Sequence, residues 1–300
     1  MAILGLVTVL YKSDEVLEDF FRSLSIQTFS NYHLYIIDNF ASAATDKLVE
    51  TLAKKYAVSR YSHVRNDDNY GVAKGNNQGT ELAFRDGAEY IILLNNDIEF
   101  KQSNLLEGLM NFAVRQGENI IFPKVLFYGT RKIQVAGGRF NYYKGVAHMF
   151  GVNDDDGEPY NSPAYFDYAP TCFMLISKKV FDTIGYMDER YFVYGDDDDF
   201  VYRAIRRGFK LLYLPHLEIF HKDSFSTGGN DSVFTIYHSN RNRLYFIRKH
   251  FSFPFKHLAL SHAIVTKSIR YVFYYDKDKR EAILRAFKDG LFKMSLPERK

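Results

Sequence analysis

The 300-residue sequence has no tryptophan and a single cysteine, Cys172. One thiol excludes an intramolecular disulfide and fits a reducing compartment. No run of about eighteen uncharged apolar residues occurs, so a membrane-spanning helix is not expected. The start, Met1-Ala2-Ile3-Leu4-Gly5, lacks the basic and long apolar regions of a secretory signal. Internal repeats and low-complexity linkers are also missing, which speaks against a repeat architecture. The expected location is cytoplasmic.

What is present suits a soluble globular protein, with 46% hydrophobic and 25% charged residues. A chain of this length can bury a substantial core as one large domain, or as one domain with an appendage. The net charge of +3 conceals an asymmetry: residues 231–300 hold fifteen Lys/Arg against six Asp/Glu, leaving 24 against 30 elsewhere. A basic tail on an acidic body points to an anionic partner, either nucleic acid or an anionic membrane surface. The division expected is therefore a body, 1–230, and a basic helical region, 231–300.

Ile3-Leu4-Gly5-Leu6-Val7-Thr8-Val9-Leu10-Tyr11 reads as a buried strand. A helix follows, with Ser13 or Asp14 as its N-cap and Val16, Leu17, Phe20, Phe21 and Leu24 at helical spacing. Strand 33–37 ends at Asp38-Asn39; helix 45–56, strand 61–65 and helix 80–84 come next. This alternation predicts an α/β fold with a mostly parallel central sheet flanked by helices. Residues 123–170 predict short strands and an exposed loop, with Asn153-Asp154-Asp155-Asp156-Gly157 as a solvated turn without calcium-loop spacing. In the tail, 237–251 and 279–294 read as basic amphipathic helices, the second striped by Ile283, Phe287, Leu291 and Met294. Between them, 257–275 is apolar but interrupted by Lys267 and Arg270.

Four segments carry chemistry. In Tyr90-Ile91-Ile92-Leu93-Leu94-Asn95-Asn96-Asp97, a buried-type strand runs into two amides and a carboxylate. Strands of open α/β sheets deliver their carboxyl ends to the ligand crevice, where Asp97 can hold a cation or accept a proton. A polar turn reads equally well from these residues alone. The segment from Asn69-Tyr70-Gly71 to Asn76-Asn77-Gln78-Gly79 places glycines and amides before a helix, which suits a phosphate-bearing ligand. It matches neither the P-loop nor the dinucleotide fingerprint, and a simple glycine-rich turn explains it too. In Tyr194-Gly195-Asp196-Asp197-Asp198-Asp199-Phe200, four carboxylates open a helix whose dipole stabilises them, so one can face inward as a general base. Last, the alternating strand Leu217-Glu218-Ile219-Phe220-His221 ends in an imidazole able to meet a metal, although a lone His is more often structural.

Taken in order, these pieces resemble the family 2 inverting glycosyltransferases of the GT-A fold, in particular the bacterial rhamnosyltransferase-like branch. The shared stretches are Thr8-Val9-Leu10-Tyr11, Ile36-Ile37-Asp38-Asn39, Asn69 through Gly79, Leu93 to Asp97, and Gly185-Tyr186-Met187-Asp188-Glu189-Arg190-Tyr191-Phe192. Asp196 to Phe200, Gly208-Phe209-Lys210 and Ile219-Phe220-His221-Lys222 complete them, so the resemblance covers roughly 3–225. It implies that Asp38 lies beside the nucleotide base, with Thr8 and Tyr11 in the same pocket. It also implies that Asn69, Gly71, Asn76, Asn77, Asn95 and Asn96 line the nucleotide and diphosphate side. Asp97 takes the last carboxylate of the family's Asp-X-Asp motif and, with His221, would bind Mg²⁺ or Mn²⁺. Asp197 would be the base, and Asp196 and Asp199 would hold the loop or orient acceptor and base. Asn95 departs from the motif, removing one negative charge from a site for a hard cation.

The partners implied are a nucleotide-sugar donor and a glycan or polyprenyl-linked acceptor in cell-surface polysaccharide synthesis, with no nucleic acid. Basic amphipathic helices can lie at a membrane interface, so the tail would hold the chain peripherally on the inner face of the cytoplasmic membrane. Alternatively it packs on the body or forms a homodimer. Arg241-Asn242-Arg243 are candidate contacts for an anionic acceptor. Rival readings are a sugar-nucleotide nucleotidyltransferase, for which Lys12 alone is thin support; a glycoside hydrolase pairing Asp97 with Asp197; and a non-catalytic, Tyr-rich glycan-binding module.

Overall fold

Strand β1 (Leu4–Leu10) is buried along its whole length, and its register sets the sheet. The computed structural model describes residues 4–222 and 231–294. Ile3, the end of the resemblance near 225 and the division at 230 therefore lie outside the described residues. After β1 come α1 (Leu17–Ser25), β2 (Tyr32–Asp38), α2 (Ala43–Lys55), β3 (Tyr61–Arg65), α3 (Gly71–Arg85) and β4 (Tyr90–Leu94). The strands β3-β2-β1-β4 are parallel neighbours, with Val7 opposite Tyr35 on one side and Leu93 on the other. The carboxyl ends of β1, β2 and β4 thus stop together and open one crevice.

The second half departs from simple parallel winding. It contains β5 (Ile98–Glu99), α4 (Leu105–Gln116), β6 (Ile120–Phe127), β7 (Ile133–Val135), β8 (Gly138–Asn141), β9 (Val146–Met149), β10 (Ala164–Phe166), β11 (Phe173–Ser177), α5 (Lys178–Ile184), α6 (Asp196–Arg206) and β12 (Leu211–His221). Strand β11 runs antiparallel between β4 and β6, while β12 returns parallel to β6, so the sheet is mixed beyond β4. Two apolar layers cover its faces, one under α1, α2 and α4, the other under α3, α5 and α6.

Helix α3 begins at Gly71, nine residues earlier than the sequence pattern suggests, so its glycines lie within the helix. A Cβ at Gly75 would stand 2.7 Å from Val9 Cγ2, and one at Gly79 would strike Val7. These two glycines let α3 close against β1 and are not part of a phosphate loop. The Asp154–Asp156 run is also only partly solvated. Asp155 is open to solvent, but Asp156 pairs with the buried Lys124 at 2.5 Å and with Arg131.

The tail forms α7 (Val233–His250), α8 (Phe255–Phe273) and α9 (Lys277–Lys288). Tyr245, Phe246 and Ile247 of α7 belong to the apolar layer of β11 and α6, and Ile283 of α9 packs beside Ile236 of α7. Helix α8 instead buries only Ala259 and Ala263. No helix among the described residues is long and apolar enough to cross a membrane.

Candidate active site

The crevice holds a cavity of about 360 Å³ between the end of β4 and the turn before α6. Val9, Tyr11, Asn39, Asn95, Asn96 and Asp97 form one side; Asn69, Gly71, Asn76, Phe192, Val193 and Phe234 form the rest. Asn96 is braced from behind, its amide donating to Val9 O at 3.0 Å and Ser13 Oγ at 2.8 Å. That bracing fixes the chain so that Asn95 stands exposed and Asp97 turns toward β12. Tyr11 and Phe40 meet edge to face at the same end, with the Lys12 ammonium 4.7 Å above the Phe40 ring.

Asp97 and His221 come together. His221 Nε2 lies 3.2 Å from Asp97 Oδ1 and 3.2 Å from the Asn95 amide nitrogen. Its Nδ1 faces Gln134 Oε1 at 2.9 Å, which assigns the proton to Nδ1 and leaves the Nε2 lone pair directed at Asp97 and Asn95. Asp97 Oδ1 is buried without a hydrogen-bond partner. A buried, unsatisfied carboxylate oxygen beside an imidazole lone pair is a donor set that fits a divalent cation. Among the described residues no third His, Cys, Asp or Glu joins them, so a cation here would take its other ligands from amide, water or a bound diphosphate. Gln134 was invisible to sequence reasoning: only the pairing of β7 with β6 brings it to β12.

Other residues singled out from sequence sit differently. Thr8 is fully buried, and Asp38, 1% exposed, accepts from Phe40 N at 2.9 Å and faces His63 Nε2 at 3.3 Å behind the cavity wall. Asn39, the next residue, reaches the cavity instead. Asn77 points away: its amide donates to Met187 O at 2.9 Å and accepts from Met187 N at 2.9 Å, tying α3 to the segment before α6. Asn69 Oδ1 accepts from Gly71 N at 3.0 Å, and Gly71 has φ +80°. A Cβ there would collide with the Phe192 carbonyl, so glycine is required for this close approach.

The four aspartates divide by helical position. Asp199 is fully buried and receives Arg203 Nε at 2.7 Å, His250 Nε2 at 2.7 Å, Tyr191 OH at 3.1 Å and the Lys249 ammonium. Burial would push its pKa up; the His250 hydrogen bond and the charges of Arg203 and Lys249 overcome this and hold it far below the ordinary carboxylate range. With its oxygens so engaged, Asp199 is a clamp between α6 and α7, not a group that meets an acceptor. Asp197 is only half buried. It accepts from Tyr168 OH at 3.1 Å and Asp198 N at 2.8 Å, and burial raises its pKa against those two hydrogen bonds. Asp196 is 4% exposed, and burial, with the charge of Asp197, pushes its pKa to about 8.

This last shift has a consequence for stability. An unfolded Asp titrates near about 4. Between about pH 4 and 8 the folded chain keeps a proton that the unfolded chain has released, so stability falls as pH rises through that window and levels off above it. Asp196→Asn is expected to flatten this fall. Melting temperatures of the variant and parent across about pH 5 to 8 check it; parallel curves would exclude Asp196 as the source.

The turn before α6 is held by Asn242, read from sequence as a contact for an anionic acceptor, whose amide is instead engaged by backbone carbonyls. Asn242 of α7 is 1% exposed, and its amide lies 2.8 Å from Tyr191 O, 2.8 Å from Val193 O and 2.7 Å from Tyr194 O. Phe192, Tyr194 and Gly195 all have positive φ, a conformation costly for the first two. The Asn242 amide offsets that cost and so shapes the Phe192–Val193 wall of the cavity.

Residues 6–185 match the family described as "Glycosyl transferase family 2". The chain belongs to glycosyl transferase family 2. A hexosyltransferase of low-salt glycan biosynthesis, Agl10 of Haloferax volcanii, is 23% identical over 80% of this chain and 74% of its own. An N-acetylglucosaminyl-diphospho-decaprenol L-rhamnosyltransferase of Mycobacterium tuberculosis is 24% identical over 83% of this chain and 85% of its own. Among solved structures, the mannosyltransferase PcManGT of Pyrobaculum calidifontis, in complex with GDP-Man and Mn²⁺, superposes with a TM-score of 0.61 at 10% identity, covering 97% of this chain and 88% of its own. The fold is that of the GT-A glycosyltransferases. This family 2 member is therefore a nucleotide-sugar-dependent glycosyltransferase, which sets aside the nucleotidyltransferase, hydrolase and non-catalytic readings.

Proposed function

We propose that this glycosyltransferase moves a hexose or 6-deoxyhexose from a nucleoside diphosphate sugar to a hydroxyl of a lipid-linked glycan, inverting the anomeric centre. The reading is carried by one observation: the unsatisfied Asp97 oxygen beside the His221 lone pair, in a cavity whose far wall runs directly into the Asp196–Asp199 turn. Asp97 and His221 would hold Mg²⁺ or Mn²⁺, which supplies Lewis-acid stabilisation to the departing diphosphate. Asp197 takes the proton of the acceptor hydroxyl at a carboxylate oxygen as the hydroxyl oxygen bonds to the anomeric carbon and the bond from that carbon to the diphosphate breaks. Its raised pKa makes it a stronger base than an exposed carboxylate. Tyr168 orients it. The nucleotide occupies the Tyr11, Asn39 and Gly71 side of the cavity.

The lipid-linked acceptor is supported by the decaprenol-diphosphate acceptor named for the mycobacterial relative and by the glycan assembly named for the haloarchaeal one. We also read 231–300 as the region that brings the chain to its lipid. A panel of UDP-, dTDP- and GDP-sugars with Mn²⁺, followed by melting temperature, tests the donor site. One donor should stabilise the chain in Mn²⁺ and lose its effect in a chelator, and Asp97→Ala should weaken that donor at least about tenfold. No stabilisation by any donor, or full binding by Asp97→Ala, would remove Asp97 from the site.

A further inference from the structure

A second cavity, of about 280 Å³, lies on the other side of the turn that precedes α6. Tyr194, Gly195 and Asp198 of that turn and helix form one wall; Asn240 and Arg243 of α7 and Lys267 of α8 form another. The Lys267 side chain has no place in an ordinary helix pattern. It follows Ala259 and Ala263 at intervals of four residues, on the face that α8 buries. Among the described residues it makes no hydrogen bond and no ion pair. Arg243 donates to Lys144 O and faces His262 Nδ1 at 3.0 Å, but it too has no carboxylate partner among the described residues. Asp198, the acidic residue in the wall, is held well above the usual carboxylate range by burial and then by the charge of Asp197, so it supplies little counter-charge. Burial, with Arg270 and Arg243 nearby and only partly offset by the charge of Asp231, lowers Lys267 to about 8, which a bound anion would reverse.

The outer face of the same helix is apolar. Leu258, Val265, Ile269 and Val272 share one side of α8, each 46–57% exposed, and Phe273 beyond them is 75% exposed. This face lies on the opposite side of α8 from Lys267, so a ligand that uses both is anionic at one end and carries a hydrocarbon long enough to pass around the helix. We propose that Arg243 and Lys267 bind the diphosphate of the prenyl-diphosphate-linked acceptor, whose chain leaves along the apolar face of α8. The cavity adjoins the helix that carries Asp197, so a sugar attached to that diphosphate is directed toward the donor. The inference rests on the lipid-linked acceptor proposed above.

Farnesyl diphosphate, titrated calorimetrically into the full chain in the presence of a chelator, tests the site. The dissociation constant should rise at least tenfold in Lys267→Met and further in Arg243→Gln/Lys267→Met, while Asp97→Ala leaves it unchanged. Lys267→Met removes no hydrogen bond or ion pair with another described residue, so its melting temperature should not fall, and a loss of binding then reports the site itself. Farnesol should show no dependence on Lys267. The proposal is overturned if the wild type does not bind farnesyl diphosphate, if Lys267→Met binds it normally, or if Asp97→Ala abolishes binding. It is also overturned if Lys267 governs binding to phosphatidylglycerol vesicles but not to farnesyl diphosphate, since the cations then serve lipid headgroups. Binding that follows Lys267 in a chain that transfers no sugar to any prenyl-diphosphate glycan upholds this site and refutes only the acceptor reading.

Discussion

Asp197→Asn should lower the turnover of sugar transfer by about 10²- to 10⁴-fold, the usual contribution of a positioned general base. The substitution keeps the shape of the side chain; the amide oxygen can still accept from Asp198 N, while the amide nitrogen takes the place of the oxygen that faces the Tyr168 hydroxyl. Donor affinity should therefore stay within about twofold, because the groups proposed to hold the diphosphate, Asp97 and His221, lie just after β4 and at the end of β12, not on α6. Steady-state kinetics with a saturating acceptor, alongside direct donor binding, separate the two quantities. In the parent, the logarithm of turnover should climb with pH until Asp197 is ionised, above the range of an ordinary carboxylate because burial raises its pKa. In the variant that limb should disappear. Near-normal turnover by Asp197→Asn would move the base elsewhere.

The second large effect falls on stability. Asp199→Ala leaves Arg203, Lys249 and the His250 imidazole facing one another in a fully buried space. Removing one partner of a buried ion pair costs about 3–5 kcal/mol because it strands a charge; Lys249 keeps Asp188 at 2.7 Å, so the stranded charge is chiefly that of Arg203. Denaturant unfolding should show that loss, and much of the variant should be insoluble at growth temperature. The sign with pH is opposite to that of Asp196. Asp199 titrates far lower in the folded state than in the unfolded, so its stabilisation is present above about pH 4 and disappears as pH falls below that. A variant as stable as the parent near neutrality would show that the cluster contributes little.

Much of the donor side could be read from the chain. The run from Tyr90 to Leu94 is a strand in both sequence pattern and structure, and parallel-sheet logic correctly brought its end, with Asn95 to Asp97, to the crevice. The aspartates were harder, because four identical residues carry no internal label. Their roles are set by Arg203 one turn on and by Lys249 and His250 some fifty residues away, none of which a local pattern can assign. The glycine-amide segment was misread for a related reason. Glycines weaken a helix, so the pattern placed the helix start after them, whereas the close packing of α3 on β1 overrides propensity there. The C-terminal helices were legible as helices, but their partners were not. Whether α7 joins the core or stands apart depends on Tyr245 and Phe246 meeting side chains from β11 and α6.

Asn242 and Arg243 are consecutive residues of α7 and both line the basic cavity, yet Asn242 also acts on the wall of the other chamber. One grips the carbonyls that shape the donor wall, the other faces the basic cavity beyond the turn. Any displacement of α7 that accompanies filling of one chamber must be felt in the other, and thermodynamic reciprocity makes that influence equal in both directions. On the acceptor site proposed above, donor and acceptor would both bear on this one helix, and the affinity of each would depend on the presence of the other.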